Sequence, residues 1–388
     1  MKTSTTLTAS LALTAALVFA PAGVCQNQQA AQPPSETVHA IAPPRNPLPP
    51  ENESARVTRF SFIAYGDTRG RRDGREIQYE HSLIVDSTLA TIKQLEKTDY
   101  PVRFVLQTGD AVVNGRDPKQ WNASFVELIN RLTTEGGVPY FLAPGNHDVT
   151  SAPSADAPMR QDALRNYLNA VAQLIPADGA QRRLDGYPTY AFGYGNSFFI
   201  AIDSNLALDE KQFDWVKKQI EGLDPKRFKN IVAFFHHPPF SSGPHGGSRV
   251  EPQSAAIRSK YLPLFRKHRV SLTLTGHDHL FDHWVEHYQG SDGVKRRMDH
   301  VVTGGGGAPI YPYLGEPDLR DYTNANESEK ITIDHLVRPG QSRGDNPYHY
   351  LVVKIDDEVM SLEVIGVDWG SDFKPYRSNR STLRDSSQ

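Results

Sequence analysis

Short apolar runs alternate with amphipathic segments along most of this chain. Each apolar run has the length of a strand and stops at a polar or glycine-containing turn; the runs cover residues 60–65, 102–106, 139–143, 198–202, 231–235 and 270–274. Between them, apolar residues recur at helical spacing in residues 83–95, 117–132, 162–174, 213–223 and 255–265. Strands and helices that alternate in this way predict an α/β architecture.

Two hairpin patterns interrupt this alternation. One lies in residues 190–202 around the turn dipeptide Gly195-Asn196, and the other lies in residues 350–367. Hairpins join antiparallel strands, so they argue against a purely parallel sheet.

Composition divides the chain into four segments. Residues 1–25 form a predicted signal peptide, and residues 26–55, rich in Pro, Gln and Ala, predict a disordered linker. A single folded domain is expected from residue 56 to 370, with a polar insertion at about 308–345. Residues 371–388 are predicted to be a disordered tail.

The first residues are typical of export. Lys2 precedes an apolar stretch at residues 7–20 that is too short for a comfortable membrane span, and Pro21-Ala22-Gly23 follows. We therefore expect a periplasmic or secreted protein with no transmembrane segment after signal cleavage. Cys25, the only cysteine, raises lipoprotein anchoring as a lesser alternative, because Val24 before it fits lipid-attachment signals poorly. A single cysteine also excludes an internal disulfide.

The overall charge argues against one class of partner. The 388 residues carry a formal net charge of −3, with 22% charged and 38% hydrophobic residues, as in a soluble globular protein. Because the chain has no basic stripe, nucleic acid is not an expected partner. The sequence leaves the oligomeric state open.

Candidate ligands follow five of the predicted strands. They are Asp67, Asp110, Asn146, His236 and the pair His277 and His279. In open α/β sheets, functional sites lie beyond the carboxyl ends of the strands. All of these side chains offer oxygen or nitrogen, and none is a thiolate, which suits Zn, Mn or Fe. One such residue could simply end a strand, but five in succession predict a metal site.

The motifs occur in a characteristic order: Asp67; Gly109-Asp110; Gly145-Asn146-His147-Asp148; His236; Gly276-His277-Asp278-His279. This series resembles the calcineurin-like metallophosphoesterase superfamily, nearer to its purple acid phosphatase-like and 3',5'-cyclic nucleotide phosphodiesterase-like members. The resemblance implies a metallo-dependent phosphatase fold. That fold is a four-layer α/β/β/α sandwich of two mixed sheets flanked by helices.

The resemblance also implies a centre of two metal ions, of which Fe, Mn or Zn are the candidates. Asp67 and His279 would hold the first metal, Asp110 would bridge both, and the second would be completed by Asn146, His236 and His277. A metal-bridging hydroxide would then attack phosphorus in line with the leaving oxygen.

The implied function is that of an exported, metal-dependent phosphatase or phosphodiesterase acting on a small-molecule phosphate ester. Monoesters, nucleotides and cyclic or lipid diesters all remain open as substrates. The alternative is an inactive phosphoesterase scaffold that serves as a binding module.

Other site roles depend on the same resemblance. His147 would contact the phosphoryl oxygens or protonate the leaving group, and Asp148 would orient its imidazole; the alternative for Asp148 is a turn cap. His237 and His245 are candidates for substrate contact, against a packing role in their loop. The glycines at 304–307 lack the context of a phosphate-binding loop and predict close backbone packing under the site.

Two departures from the family bear on the metal centre. Many members have a histidine where this chain has Arg69, so a metal ligand is missing or replaced by water; Arg69 is expected to face the phosphate, because guanidinium cannot ligate a metal. Purple acid phosphatases have a tyrosine at the position of Val113, so a tyrosinate-coloured iron site is not expected.

Overall fold

The computed structural model describes residues 36–69, 78–246, 250–340 and 346–367, and the backbone of 381–384. The predicted signal peptide lies outside these residues, as do residues 26–35 of the predicted linker and most of the predicted tail. Among the residues described, no helix combines the length and apolar character that crossing a membrane requires.

Strands and helices follow each other much as the sequence pattern predicts. In chain order the strands are β1 (Arg59–Tyr65), β2 (Val102–Gln107), β3 (Tyr140–Leu142), β4 (Tyr190–Tyr194), β5 (Ser197–Ala201), β6 (Asn230–Phe234), β7 (Leu272–Thr275), β8 (Phe281–Gln289), β9 (Lys295–Thr303), β10 (Thr332–Val337), β11 (Tyr348–Asp356), β12 (Val359–Val367) and β13 (Ser381–Arg384). The α-helices are α1 (Tyr79–Leu95), α2 (Glu127–Thr134), α3 (Gln161–Val171), α4 (Glu210–Glu221), α5 (Pro252–Ala256), α6 (Leu262–Lys267) and α7 (Arg320–Ala325). Two π-helical segments, Gln120–Val126 and Ile257–Tyr261, lead into α2 and α6.

These strands form two mixed sheets. In the described part of the chain, one sheet has the order β13-β12-β11-β1-β2-β3 and the other β10-β8-β9-β7-β6-β5-β4. Strands β1 to β3 are parallel to one another, and so are β5, β6, β7 and β9, whereas the remaining neighbours are antiparallel. Each sheet therefore combines a parallel group of strands with antiparallel ones; the parallel group lies at one end of the first sheet and in the middle of the second.

Strand β5 shows how the layers are built. Its alternate residues Phe199 and Ala201 lie in the core between the sheets, whereas Phe198 and Ile200 pack in a second core with residues of α4, α5 and α6. The ring of Phe199 lies 4.9 Å from that of Phe104 in the facing sheet. Alternation along a strand thus fills two layers of core. The predicted sandwich of two sheets with flanking helices is confirmed.

The prediction of a disordered linker up to residue 55 is wrong for residues 36–55. The N-terminal strap, residues 36–57, lies along the domain, with Val38 and Ile41 buried in the main core. The backbone N–H of Ile41 donates to the carbonyl of Ala170, at 2.8 Å. A Pro-rich segment has few apolar residues, but two buried ones and paired backbone groups are enough to order it.

Polar contacts extend the strap along the domain. The backbone N–H groups of His39 and Ala42 donate to the side-chain oxygens of Asn122 and Asn130, at 2.8 and 2.7 Å. Within the described residues, the folded domain therefore includes residues 36–55, and the predicted start at residue 56 is wrong.

The predicted insertion and tail also carry regular structure. The insertion contains helix α7 and strand β10, which pairs antiparallel with β8. Within the predicted disordered tail, Ser381–Arg384 pairs with β12, so the prediction is wrong for these four residues. The insertion shows no long apolar pattern, because the edge strand β10 and the short helix α7 bury only part of their side chains.

Candidate metal centre

The predicted ligands lie together at one edge of the two sheets. Each follows the carboxyl end of a parallel strand, and the strands of both sheets end in the same place: Asp67 after β1, Asp110 after β2, Asn146 after β3, His236 after β6, and His277 and His279 after β7. Most of these side chains are buried, although Asn146 is partly exposed. Side chains from both sheets thus build one site.

The loops that carry them are conformationally unusual. Asp67, Asp110 and His277 have φ values of 60°, 56° and 70°. Non-glycine residues seldom adopt this left-handed conformation, and where they do they cluster at functional sites. These three turns therefore mark the shared edge of the sheets as a candidate functional site.

At two motif positions only glycine fits, because a side chain would collide with neighbouring atoms of the site. A Cβ atom on Gly145 would lie 2.2 Å from Oδ1 of Asp110, and one on Gly304 would lie 2.2 Å from the carbonyl of Asp278 and 2.9 Å from Oδ2 of Asp67. The prediction that the glycine run provides close backbone packing under the site is confirmed at Gly304.

One half of the site is a cluster of hydrogen-bond acceptors. The Nε2 atom of His236 lies 2.9 Å from Oδ1 of Asn146, 3.1 Å from Nδ1 of His277 and 3.3 Å from Oδ1 of Asp110. We call these four residues the second cluster, because they are the residues expected to hold the second metal.

The hydrogen bonds of His236 and His277 indicate which ring nitrogens of the second cluster are left as acceptors. Nδ1 of His236 donates to the carbonyl of Thr108, at 2.9 Å, and burial lowers the pKa of His236 to about 3, so the neutral ring presents a lone pair at Nε2. In neutral His277, Nε2 donates to Glu251, which leaves a lone pair at Nδ1. A proton would satisfy one of these three contacts, whereas a divalent cation could accept lone pairs from all four atoms. The second cluster therefore fits a metal ion.

The other half of the site, the first cluster, consists of Asp67, Asp110 and His279. One ligand atom of each lies within 4.8 Å of the others. Nδ1 of His279 donates to the carbonyl of Pro309, at 2.8 Å, and Nε2 lies 3.6 Å from Oδ1 of Asp67. Burial and the nearby Arg69 lower the pKa of His279 to about 3, so the ring is neutral with its lone pair at Nε2.

The negative charge of the site is centred on Asp110. Burial would raise its pKa, but the neighbouring His236, His147 and Arg69 lower it well below the ordinary range. For Asp67, burial and the charge of Asp110 act together and raise the pKa well above the ordinary value. An aspartate that stays charged between the two clusters suits the bridging role implied by the sequence.

Arg69 lies inside the first cluster. Its Nε is 3.3 Å from Oδ2 of Asp110, too poorly aligned for a good hydrogen bond, and its Nη2 is 3.4 Å from Nε2 of His279. The side chain is 8% exposed.

His147 lies at the opening of the site. Its Nδ1 donates to the carbonyl of Val113, at 2.7 Å, and its Nε2 is 4.0 Å from Oδ2 of Asp110. The backbone N–H of His147 donates to Oδ1 of the same aspartate, at 3.0 Å. The ring is therefore oriented by a backbone carbonyl and partly exposed beside the candidate bridging residue.

The predicted role of Asp148 is wrong. Its carboxylate accepts the backbone N–H groups of Gly145, at 2.9 Å, and Val112, at 3.1 Å, and it is fully buried. Since Val113 already holds Nδ1 of His147, Asp148 does not orient that imidazole. It caps the turn, which was the alternative, because a side chain three residues after Gly145 folds back beneath the loop.

The two remaining histidines differ in position. His245 is partly exposed; its Nδ1 lies 2.9 Å from Oε1 of Glu251, and its ring centroid is 4.1 Å from that of His277. The hydrogen bond with Glu251 raises the pKa of His245. His237 is 2% exposed and bonds Ser204 through Nδ1, an arrangement that supports packing rather than the predicted substrate contact.

Sequence reasoning missed two residues of the site. Oε2 of Glu251 lies 2.8 Å from Nε2 of His277, and the ring of Tyr311 stacks on that of His279 at a centroid distance of 4.1 Å. No motif marks either residue, since Glu251 precedes its partner by 26 positions and Tyr311 lies in the insertion. His237, Glu251 and His277 also bring ligand atoms within 4.8 Å of one another. Because Glu251 and His277 already form a hydrogen bond, we interpret this group as support for His277.

Comparison with known proteins identifies the family. The family model for calcineurin-like phosphoesterases matches residues 81–281, just over half of the chain. The chain belongs to this family. Apart from Asp67, every predicted metal ligand lies within the matched residues.

Curated relatives of this calcineurin-like phosphoesterase are phosphatases. Probable purple acid phosphatase 20 of Arabidopsis thaliana is 24% identical over 203 residues, which cover 52% of this chain and 44% of that protein. Tartrate-resistant acid phosphatase type 5 of Sus scrofa is 25% identical over 230 residues, which cover 56% of this chain and 63% of that protein. The chain therefore spans less than two thirds of the length of either relative.

A solved structure supports the fold. Purple acid phosphatase PPD1 from yellow lupin (Lupinus luteus) superposes with a TM-score of 0.56 at 19% identity, over 83% of this chain and 53% of that one. At this identity, the likeness shows the shared architecture of two sheets with flanking helices.

Proposed function

We propose that this protein is an exported, metal-dependent hydrolase of phosphoric esters. Family membership and phosphatase relatives support this proposal. The observation that carries it is the second cluster, in which the lone-pair atoms of His236, His277, Asn146 and Asp110 converge. Buried acceptors that face one another are costly unless a cation lies between them.

The residues that would hold metal are those of the two clusters: Asp67, Asp110 and His279 in the first, and Asp110, Asn146, His236 and His277 in the second. Bound divalent ions would supply Lewis-acid catalysis and an activated water nucleophile. Their donor set of carboxylate, amide and imidazole suits Fe, Mn or Zn. We propose two sites, with Asp110 between them.

His147 is suited to transfer a proton to the leaving group. In its protonated form, Nδ1–H stays bonded to the carbonyl of Val113, and Nε2–H is directed toward the opening beside Asp110. An imidazolium held in this way can give the Nε2 proton to the departing alkoxide. Nε2 lies 4.0 Å from Oδ2 of Asp110, so this proton would be delivered beside the candidate bridging residue.

Two cations are placed to bind phosphoryl oxygens. Arg69 lies within the first cluster, and the partly exposed His245, whose pKa is raised, lies beside His277 of the second cluster. Guanidinium and imidazolium groups form charge-assisted hydrogen bonds with phosphate oxygens. A small phosphate ester is therefore the proposed substrate.

The test is hydrolysis of para-nitrophenyl phosphate and bis-para-nitrophenyl phosphate with added Mn²⁺, Zn²⁺ or Fe²⁺. We expect metal-dependent turnover of at least one ester and its loss in Asp110→Asn. Asp99→Asn, which changes an exposed aspartate, is the control and keeps its activity. Failure to bind metal, together with no hydrolysis, would refute the proposal and favour a binding module.

Export has its own test. The Lys2 start and apolar residues 7–20 support it. Expression of the full chain in a bacterial host, followed by cell fractionation and N-terminal sequencing, should yield protein cleaved near residue 25 in the periplasm or medium. Uncleaved protein confined to the cytosol contradicts export.

A further inference from the structure

The guanidinium of Arg69 lies next to the atoms that a metal in the first cluster would bind. Nη2 lies 3.4 Å from Nε2 of His279, the nitrogen left with a lone pair because Nδ1 is bonded to the carbonyl of Pro309. Nε lies 3.3 Å from Oδ2 of Asp110. The first cluster therefore already contains a positive charge supplied by the chain.

This arrangement differs from that of the second cluster. There, His236, His277 and Asn146 present acceptor atoms to one another at 2.9 and 3.1 Å. In the first cluster, a donor faces the acceptors. The two halves of the site are thus unequal in charge, although they share Asp110.

Backbone contacts hold Arg69 in this position. Its N–H donates to the carbonyl of Asp110, at 3.0 Å, and the hydroxyl of the preceding Thr68 lies 3.3 Å from the carbonyl of Ala111. Gln107 donates to the same hydroxyl, at 3.0 Å. The residue that follows Asp67 by two positions is therefore fixed beside the strand end that carries Asp110.

We propose that Arg69 competes with a metal ion for the first cluster, so that this protein loads its two sites unequally. One divalent ion binds tightly at the second cluster, and another binds at the first cluster only when the guanidinium leaves Asp110 and His279. Two cations in one buried site repel each other strongly, and among the residues that the structure describes the first cluster has only Asp67, Asp110 and His279 to compensate. Once displaced, the same guanidinium is free to bind a phosphoryl oxygen. This inference rests on the metal-binding part of the proposed function.

The test is a titration of chelator-treated full-length protein with Mn²⁺, followed by calorimetry and low-temperature electron paramagnetic resonance. The wild-type protein should bind one equivalent tightly and a second at least about tenfold more weakly. Its spectrum at one equivalent should be that of isolated Mn²⁺. In Arg69→Ala, the second affinity should rise about tenfold or more, and a spin-coupled spectrum should appear at two equivalents.

Two further variants make the result specific. Arg69→His removes the permanent charge and adds a ligand, so it should tighten the second site beyond Arg69→Ala. Arg59→Ala removes the same charge from an exposed position and should behave as the wild type. Circular dichroism shows whether each variant is folded; if Arg69→Ala does not fold, Arg69→His carries the comparison.

Each outcome decides the inference. Equal loading of both sites in the wild type overturns it, and so does an unchanged or weaker second affinity in both Arg69 variants. In these cases the proposed hydrolase can still stand. Absence of Mn²⁺ binding in every variant overturns this inference; the proposed function falls with it only if Zn²⁺ and Fe²⁺ also fail to bind and no ester is hydrolysed.

Discussion

Oε2 of Glu251 lies 2.8 Å from Nε2 of His277, on the side of the ring opposite to Nδ1, which faces His236. A carboxylate in this position selects the tautomer with its lone pair at Nδ1 and makes that nitrogen more basic. The pair therefore links the loop before α5 to the second cluster. Glu251 also pairs with His245, so one carboxylate supports both a candidate ligand and a candidate substrate contact.

Replacing Glu251 with Gln should weaken metal binding. The amide can still accept the Nε2 hydrogen bond but carries no charge, so we expect metal affinity to fall about tenfold. Metal content after dialysis against a graded chelator measures the change. Glu96→Gln, at an exposed position, should retain wild-type affinity. Equal affinity in the two variants would show that Glu251 does not support His277.

His147→Ala should slow turnover without removing metal. Because Nε2 of His147 is the proposed proton donor, we expect kcat for a para-nitrophenyl ester to fall about 10²- to 10⁴-fold. Metal analysis and thermal unfolding should match the wild-type protein. Loss of bound metal instead would mean that His147 helps to hold it.

Asp148→Ala should lower stability. Its carboxylate accepts the N–H groups of Gly145 and Val112 in a fully buried turn, and losing the acceptor should cost about 3 kcal/mol in the free energy of unfolding. Urea unfolding checks this value, with Asp99→Ala as the exposed control. A fully stable Asp148→Ala with slow turnover would instead favour the role that the sequence predicted.

Ile41→Ala tests the N-terminal strap. Ile41 is fully buried in the main core, so truncation to Ala should reduce the free energy of unfolding by about 3 kcal/mol. Glu53→Ala, exposed in the same segment, should change it little. Equal stability of the two variants would restore the linker interpretation.

Glu286 predicts a pH-dependent contribution to stability away from the metal centre. It is fully buried and contacts Arg266 at 2.9 Å, Tyr322 at 2.7 Å and His300 at 3.0 Å. Burial opposes its ionisation, but His300 and Arg266 together lower the pKa of Glu286 below its ordinary value of 4.5.

The sign of the pH effect follows from that lowered pKa. The folded protein binds a proton at Glu286 less readily than the unfolded chain does, so the contribution is fully present above about pH 4.5 and is lost as pH falls through the folded value. Glu286→Gln should therefore be about 2 kcal/mol less stable than the wild type at pH 7. In urea unfolding experiments, the difference in the free energy of unfolding between the two proteins should shrink below pH 4.5. A difference that is constant with pH would contradict the lowered pKa of Glu286.

The sequence by itself determined the fold class and the placement of the predicted metal ligands. Both depend on short-range patterns: an apolar run predicts a buried strand, and a polar motif directly after it lies at the end of that strand. Parallel strands bring those ends to a common edge, so Asp67 and His279 could be expected to lie close together although 212 positions separate them. Family resemblance then supplied the expected division of ligands.

Only the tertiary structure decided which groups support those ligands. Val113, rather than the adjacent Asp148, orients His147, because the turn directs the aspartate inward. Glu251 reaches His277 across a loop, a contact that no local pattern encodes. The strap is ordered by two buried apolar residues and by acceptors on distant helices, which composition averages cannot show. Which groups a side chain contacts depends here on packing between segments far apart in the chain, whereas hydrophobic periodicity describes only residues that are near one another in the sequence.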